Sequence, residues 1–291
     1  MRNLGPALCG TIVCENLSDS VELYKSLSMT LVKNGEVNQQ LAEFWHAPAT
    51  AGMKYAILAS ASDAAWVRLI EDPDAAKDFK PFEMHGWLSL EVSVNDVDKL
   101  ALKLADSGFK IIGEPANLDV SDAIRAMQVQ GPSGEVLYLT EVREKVPPFE
   151  LPQAATEVDN LFIPVMITPS RDESADMFMQ FDGLDKFEFD TKITVINRAY
   201  GYKIERKHPV AVIQLAESCM IELDQVDAAV PRQRLDGHLS GGIAMVTFMT
   251  SGGSAIALQS AAEFGRSIYA RKQAGYRTGI AGEGIEVISA S

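Results

Sequence analysis

Asn16-Leu17-Ser18-Asp19-Ser20-Val21-Glu22-Leu23-Tyr24 follows a short apolar strand, Leu8 to Cys14, and Ser170-Arg171-Asp172-Glu173-Ser174-Ala175-Asp176-Met177-Phe178 follows another, Leu161 to Thr168. In both, a small polar residue caps a helix, a Ser stands four positions on and an aromatic four beyond that. A spacing of four puts Ser and aromatic on one helical face, where the aromatic packs on the sheet behind. The repeat period is close to half the chain. That points to duplication, and duplication to an internal cleft.

Working outward, the chain reads as four units of one plan, close to β-α-β-β-β. The first has strands at 8–14, 31–36, 54–59 and 66–71 and a helix at 18–29. The second has a strand at 87–94, a helix at 97–107 and strands at 109–113, 126–130 and 136–142. Gly108 ends that helix, and Gly131-Pro132-Ser133-Gly134 makes a hairpin turn. The third has a strand at 161–168, a helix at 171–179 and strands near 191–197, 210–215 and 220–224. The fourth has a strand at 243–250, a helix across Ala255–Gln273 and strands at 276–280 and 284–288. Pro147-Pro148 and Pro152 mark an inter-domain linker over 146–156. One such unit leaves an apolar sheet face uncovered, whereas two curl into a cup whose concave side is a pocket. The expected fold class is α+β: two tandem domains, 1–145 and 157–291, each of paired βαβββ modules forming a cupped mixed sheet with its helices outside.

The 291 residues, 47% apolar and 8% aromatic, suffice for two domains that each bury a core. A formal charge of −14 without a Lys/Arg stripe argues against nucleic acid and anionic membranes as partners. No apolar run approaches the roughly 20 residues of a membrane span. The start of the chain, broken by Pro6 and Glu15, makes a poor secretory signal. Three Cys (Cys9, Cys14, Cys219) argue for a reducing compartment, and a cytoplasmic location is expected. Dinucleotide fingerprints, P-loops, HExxH, paired CxxC and GxSxG elbows are missing from the sequence.

Asp96-Val97-Asp98 leads into Ala105-Asp106-Ser107-Gly108-Phe109, and Gly131-Pro132-Ser133-Gly134-Glu135 leads into Val136-Leu137-Tyr138-Leu139. With the two helix starts and the closing strands Ile221-Glu222-Leu223 and Ile285-Glu286-Val287, these stretches resemble the vicinal oxygen chelate superfamily. Its members are glyoxalases, bleomycin- and fosfomycin-resistance proteins, epimerases and extradiol dioxygenases. The resemblance covers nearly the whole chain. It implies a divalent metal in the cup, held by a His on a module's first strand and a Glu on its last. Such a metal chelates two adjacent substrate oxygens as a Lewis acid. The matching first-strand positions are Cys9, Trp87 or Ser89, Ile163, and Ile243 or Ala244, and none is His. The matching last-strand positions are Arg68, Tyr138, Glu222 and Glu286. Arg68 repels a cation, and two carboxylates alone make a poor transition-metal site, so no cofactor is expected, with a hard divalent cation such as Mg2+, held by the two Glu and waters, as the alternative.

Glu222 and Glu286 lie between apolar neighbours, so alternation turns both away from the core. Under a pseudo-twofold they share the C-terminal cup. Two carboxylates in an apolar cavity divide into a neutral acid and a charged base, which makes them the expected catalytic pair. The competing reading has each satisfied by Arg198, Lys203 or a backbone amide. Arg198, Tyr200 and Tyr202 stand near the cup mouth as a grip for an aromatic or acidic ligand, or as a hairpin with packed Tyr. Arg68 and Tyr138 are the substrate-binding pair of the N-terminal cup, or else reach the surface and fill core. His46, beside Phe44 and Trp45, covers a pocket or is solvated. His85, His208 and His238 read as an edge, a turn and a loop residue. Cys9 and Cys14 read as small buried hydrophobes.

The expected function is proton shuffling (isomerisation, epimerisation or a lyase step) on a small apolar or aromatic oxygenated molecule, by a monomer or homodimer without the usual metal site. Two other classes stay open. One is a non-catalytic small-molecule binding or sequestering protein. The other is a metal-dependent lyase or extradiol-type dioxygenase in which His46, His85 or His238 joins a Glu.

Overall fold

The structure is a computed structural model and describes residues 2–62, 65–77, 79–118, 121–252, 255–261, 269 and 272–289. The first module comprises β1 (Leu4–Cys14), α1 (Leu17–Lys25), β2 (Thr30–Glu36), a short helix α2 (Gln39–Phe44), β3 (Lys54–Ala59) and β4 (Ala65–Glu71). After α3 (Pro73–Ala76) the second comprises β5 (Gly86–Val94), α4 (Val97–Leu104), β6 (Lys110–Leu118), β7 (Ser121–Gln130) and β8 (Val136–Val142). The third comprises β9 (Val158–Thr168), α5 (Arg171–Phe178), β10 (Asp185–Lys192), α6 (Thr194–Ala199), β11 (Lys207–Gln214) and β12 (Met220–Gln225). β13 (Gly242–Thr250), β14 (Gln259–Ser260), β15 (Gln273–Thr278) and β16 (Gly284–Ser289) belong to the fourth.

The two helix starts behave as their spacing predicts. Asn16 accepts the Asp19 amide at 3.1 Å and Ser170 accepts that of Glu173 at 3.3 Å. Ser20, Tyr24, Ser174 and Phe178 are all buried. Tyr24 packs edge-on to Trp66 and Phe109, and Phe178 leans on Trp87. Two local expectations are corrected. Residues 194–199 are helical, the chain leaving β10 earlier than the apolar run suggests. The helix expected across Ala255–Gln273 lies partly outside the described residues, and 259–260 pair as a strand with β15 instead.

Two eight-stranded mixed sheets result, ordered β14-β15-β16-β13-β1-β4-β3-β2 and β10-β11-β12-β9-β5-β8-β7-β6. The α+β class and the paired modules are as expected, but the partners differ. The first module pairs with the fourth through antiparallel β1 and β13, and the second with the third through β5 and β9. The first and second modules therefore do not share a cup, nor do the third and fourth, and each sheet draws on chain from both sides of 146–156. The outer faces meet in one core that takes Leu4, Ile12, Trp87, Leu90, Met166 and Phe248 from both sheets. Trp87 donates across to the Gly284 carbonyl at 2.7 Å, and the Arg232 guanidinium ties the carbonyls of His85, Trp87, Gly241 and Ile243 together. No described helix is long and apolar enough to cross a membrane.

The sheets approach so closely that a Cβ on Gly10 of β1 would stand 2.3 Å from Leu90 Cδ1 of β5. Gly10→Ala is thus expected to cost about 1–3 kcal/mol by overpacking. Urea unfolding would show it as a lower midpoint at unchanged slope.

Candidate functional site

In each module the first and last strands run parallel, and one residue of each faces its partner in register: Thr11 and Arg68, Glu91 and Tyr138, Val165 and Glu222, Thr247 and Glu286. The last-strand positions are those read from the sequence. The first-strand ones lie further along than Cys9, Ser89, Ile163 and Ala244, because bulges in β1 and β5 displace the count. None is His.

In the first cup, Arg68 and Glu286 are both buried and form an ion pair at 3.3 Å. Glu286 also accepts from Trp45 Nε1 at 2.8 Å, Tyr269 at 2.8 Å and Thr247 at 2.6 Å. Arg68 donates to Thr11 at 2.9 Å and to the Tyr269 oxygen at 2.6 Å, with its guanidinium carbon 4.6 Å from the Trp45 ring centroid. Burial opposes its charge, but Tyr269 and Glu286 hold the guanidinium pKa above its ordinary value. Neither Arg68 nor Glu286 has a buried polar atom without a hydrogen-bond partner. This cup is closed by its own side chains. Outside it lies a cavity of about 500 Å3, lined by Gln40, Glu43, Phe44, His46 and Tyr276 among others, in which His46 meets the Tyr276 ring edge-on at 5.6 Å.

The second cup is the opposite case. Alternation along β12 puts Glu222 and Asp224 on the face of Met220, and Glu91 and Tyr138 occupy the register positions of β5 and β8. That face is otherwise apolar, carrying Ile163, Val165, Val210 and Val212, with Ile193 and Ile196 around α6. Glu91 accepts one hydrogen bond, from Thr140 at 2.6 Å. The Tyr138 hydroxyl and both Asp224 carboxyl oxygens are buried, and none has a hydrogen-bond donor or acceptor partner among the described residues other than carboxyl groups. Burial pushes the Glu91 carboxyl up to about 8. Burial first, and Glu222 second, raise Asp224 well above the ordinary carboxylate range, and burial raises Glu222 as well. Each of the two therefore ionises less readily than a free carboxyl. Burial and the three carboxyls keep the Tyr138 phenol protonated. Glu222 and the Tyr138 ring are partly exposed, so the cluster reaches solvent.

Neither donor set fits the metal that the fold family implies. The first cup already holds a guanidinium against a saturated carboxylate. The second has no imidazole and places Val165 at one of the four positions. Among the described residues the acidic groups close enough to share an ion are Asp96, Asp98 and Glu141, within 4.8 Å of one another at the surface. These are already engaged: Asp96 caps α4, Asp98 binds Arg125 at 2.7 and 2.9 Å, and Glu141 accepts from the Val97 amide and Arg143.

The expected catalytic pair is thus separated: Glu222 lies in the second cup and Glu286 in the first, because the fourth module joins the first. Arg68 joins Glu286 rather than Tyr138 for the same reason. Tyr138 does share a cup with Glu222. Arg198 is exposed on α6, Tyr200 donates to the Phe82 carbonyl at 2.8 Å, and Tyr202 stacks on Tyr200 with Arg206 over its other side, so these three do not converge on the carboxyls. His46 lines the outer cavity. His208 bonds Asn197, His238 pairs with Asp72 at 2.8 Å, and His85 is buried just before β5, its amide donating to the Val230 carbonyl. The three Cys are buried and free, and burial raises each thiol to about 12. Sequence reasoning missed Trp45, Thr247 and Tyr269, and also Glu91 and Asp224. For Glu91 and Asp224 the signal was present: Glu91 stands between Leu90 and Val92, and Asp224 follows Leu223 in the same strand phase as Glu222.

Residues 8–137 match the model of the Glyoxalase/Bleomycin resistance protein/Dioxygenase superfamily. No curated protein matches. Among solved structures, glyoxalase I from Zea mays superposes with a TM-score of 0.60 at 15% identity, over 97% of this chain and 92% of that one. A putative dioxygenase from Bacillus subtilis superposes with a TM-score of 0.66 at 10% identity, over 99% and 86%. At such identities the likeness is one of fold.

Two outcomes are expected. Arg68→Met strands the Glu286 charge and should cost about 3–5 kcal/mol in chemical denaturation, most of it recovered when Glu286→Leu is added. The raised pKa of Glu91 means that the folded state holds its proton more tightly than the unfolded chain. Its contribution to stability is therefore full below the ordinary 4.5 and is lost as pH rises through about 8. Melting temperatures measured from pH 5 to 8 should fall, and Glu91→Gln should flatten the slope.

Proposed function

We propose, from the membership of residues 8–137 in the glyoxalase/bleomycin resistance/dioxygenase superfamily, that this chain is an acid–base enzyme. It moves a proton at carbon on a small, largely apolar oxygenated molecule, in the cup of the second and third modules and without the usual metal ligands. The observation that supports this most is the set of Glu91, Tyr138, Glu222 and Asp224 on one apolar face with no cation among them.

The chemistry follows from the protonation states. Glu222, at the exposed side of the pair, takes the proton from a carbon beside a carbonyl, and the electron pair moves to the carbonyl oxygen. Glu91 and Tyr138, both neutral at pH 7, supply O–H donors to that oxygen as its charge develops. Return of the proton to the other face or to the neighbouring carbon completes an epimerisation or an isomerisation. Asp224 keeps the shared proton close and sets the basicity of Glu222. Glu286 has no part in this chemistry, since four donors already hold its carboxylate.

A second reading, ligand binding without turnover, is favoured by the cavity of about 500 Å3 beside the first cup, where Phe44 and Tyr276 stand among polar groups such as Gln40, Glu43 and His46. Deuterium uptake from D2O into a panel of small ketones and hydroxyketones, followed by NMR, separates the two. The enzyme reading expects exchange that Glu222→Gln reduces by about 10² or more. Exchange should also fall as pH rises past about 8, where Glu91 loses its proton, and Glu91→Gln should remove that limb. Exchange that Glu222→Gln leaves unchanged, or no exchange with any compound, would reject it.

A further inference from the structure

The two sheets have the same strand order, so their cups can be compared position by position. At the last-strand positions the first cup carries Arg68 and Glu286, and the second carries Tyr138 and Glu222. In the first, the buried carboxylate is met by a guanidinium that lies near the aromatic face of Trp45. In the second, the carboxyls are more numerous and the guanidinium is gone. Asp224 is fully buried, and both its oxygens lack an N–H or hydroxyl donor among the described residues. The charged groups that act on Asp224 are Glu222 and Glu91, and those that act on Tyr138 are the same two with Asp224; no Lys, Arg or His is among them. Buried carboxyls are ordinarily paired, and one without a partner waits for either a proton or a cation.

We propose that the second cup takes a small molecule bearing a protonated nitrogen, a guanidinium or ammonium group on an apolar body, whose cation sits against Asp224 and Glu222 as Arg68 sits against Glu286. The partly exposed Glu222 and Tyr138 mark where the ligand enters, against the buried apolar wall of Val165, Val210 and Val212, and Tyr138 offers the cation an aromatic face. This ligand class rests on the reading of the second cup as the reaction site and names what enters it. Asp224 is then the anchor and Glu222 the group that faces the reacting carbon.

Isothermal calorimetry with phenylguanidine and benzylamine, against uncharged benzyl alcohol of similar shape, tests the class directly. At pH 8 the two cations are expected to bind at least about tenfold more tightly than the alcohol, in keeping with a charge-assisted pair. Asp224→Asn should remove that advantage and leave the weak binding of the alcohol unchanged. Cation affinity in the unaltered protein should rise from pH 6 to pH 8 as the carboxyls lose their protons, so the test stands even if the Asn variant does not fold. Equal binding of alcohol and amines, full cation affinity in a folded Asp224→Asn variant, or affinity flat across that pH range would each overturn the proposal. The exchange assay fails independently. Cations bound through Asp224 without proton exchange would sink the reaction and keep the ligand class. Glu222-dependent exchange with no preference for cations would do the reverse.

Discussion

The antiparallel pairing of β1 with β13, and of β5 with β9, decides which residues meet. Each module ends with one side of its first strand unpaired and an apolar sheet face uncovered. Closing both needs a second module, and the chain offers three choices to each. By joining its first module to its last, it brings Arg68 within 3.3 Å of Glu286 across a separation of more than two hundred residues. By joining the second to the third, it leaves Glu222 among other acids. The contrast between a saturated cup and an unsatisfied one follows from that choice.

The saturated cup shows what a buried charge demands. Two ions taken from water lose solvation that their mutual attraction restores only if the remaining donors and acceptors are filled. Here Trp45, Tyr269, Thr247 and Thr11 fill them, drawn from four separate stretches of chain. Thr11 and Thr247 stand at Cα register with Arg68 and Glu286 respectively, while the indole comes from the stretch following α2, an insertion between strands. The first cup is filled by an internal ion pair, and its last-strand positions are closed off by the chain's own side chains.

The second cup keeps the same frame with different occupants. Two strand spacings, roughly 10 Å, separate the strands of Glu222 and Glu91, close enough in an apolar surround for Glu222 to raise the pKa of Glu91 and for both to raise that of Asp224. Protons are held near neutral pH where neither solvent nor a cation stabilises the charged forms. That condition is costly in a structural core and useful in a site that moves protons, and it is the physical ground on which the proposed reaction and its ligand rest.

The sequence by itself determined the local units. Caps and a spacing of four set α1 and α5, Gly-containing turns set the hairpins, and alternation assigned Glu222 and Glu286 to the polar phase of their strands, because these depend on residues a few positions apart. The same alternation carried Asp224 and Glu91, which went unread since an acid on a strand ordinarily faces water. Only the tertiary structure decided that Glu222 and Glu286 stand in different cups and that Arg68 answers Glu286. Strand pairing between modules depends on edges that look alike in all four, so no local pattern distinguishes one partner from another. Packing of the outer faces into a single core, with Gly10 against Leu90 and Trp87 reaching Gly284, is what selects among them.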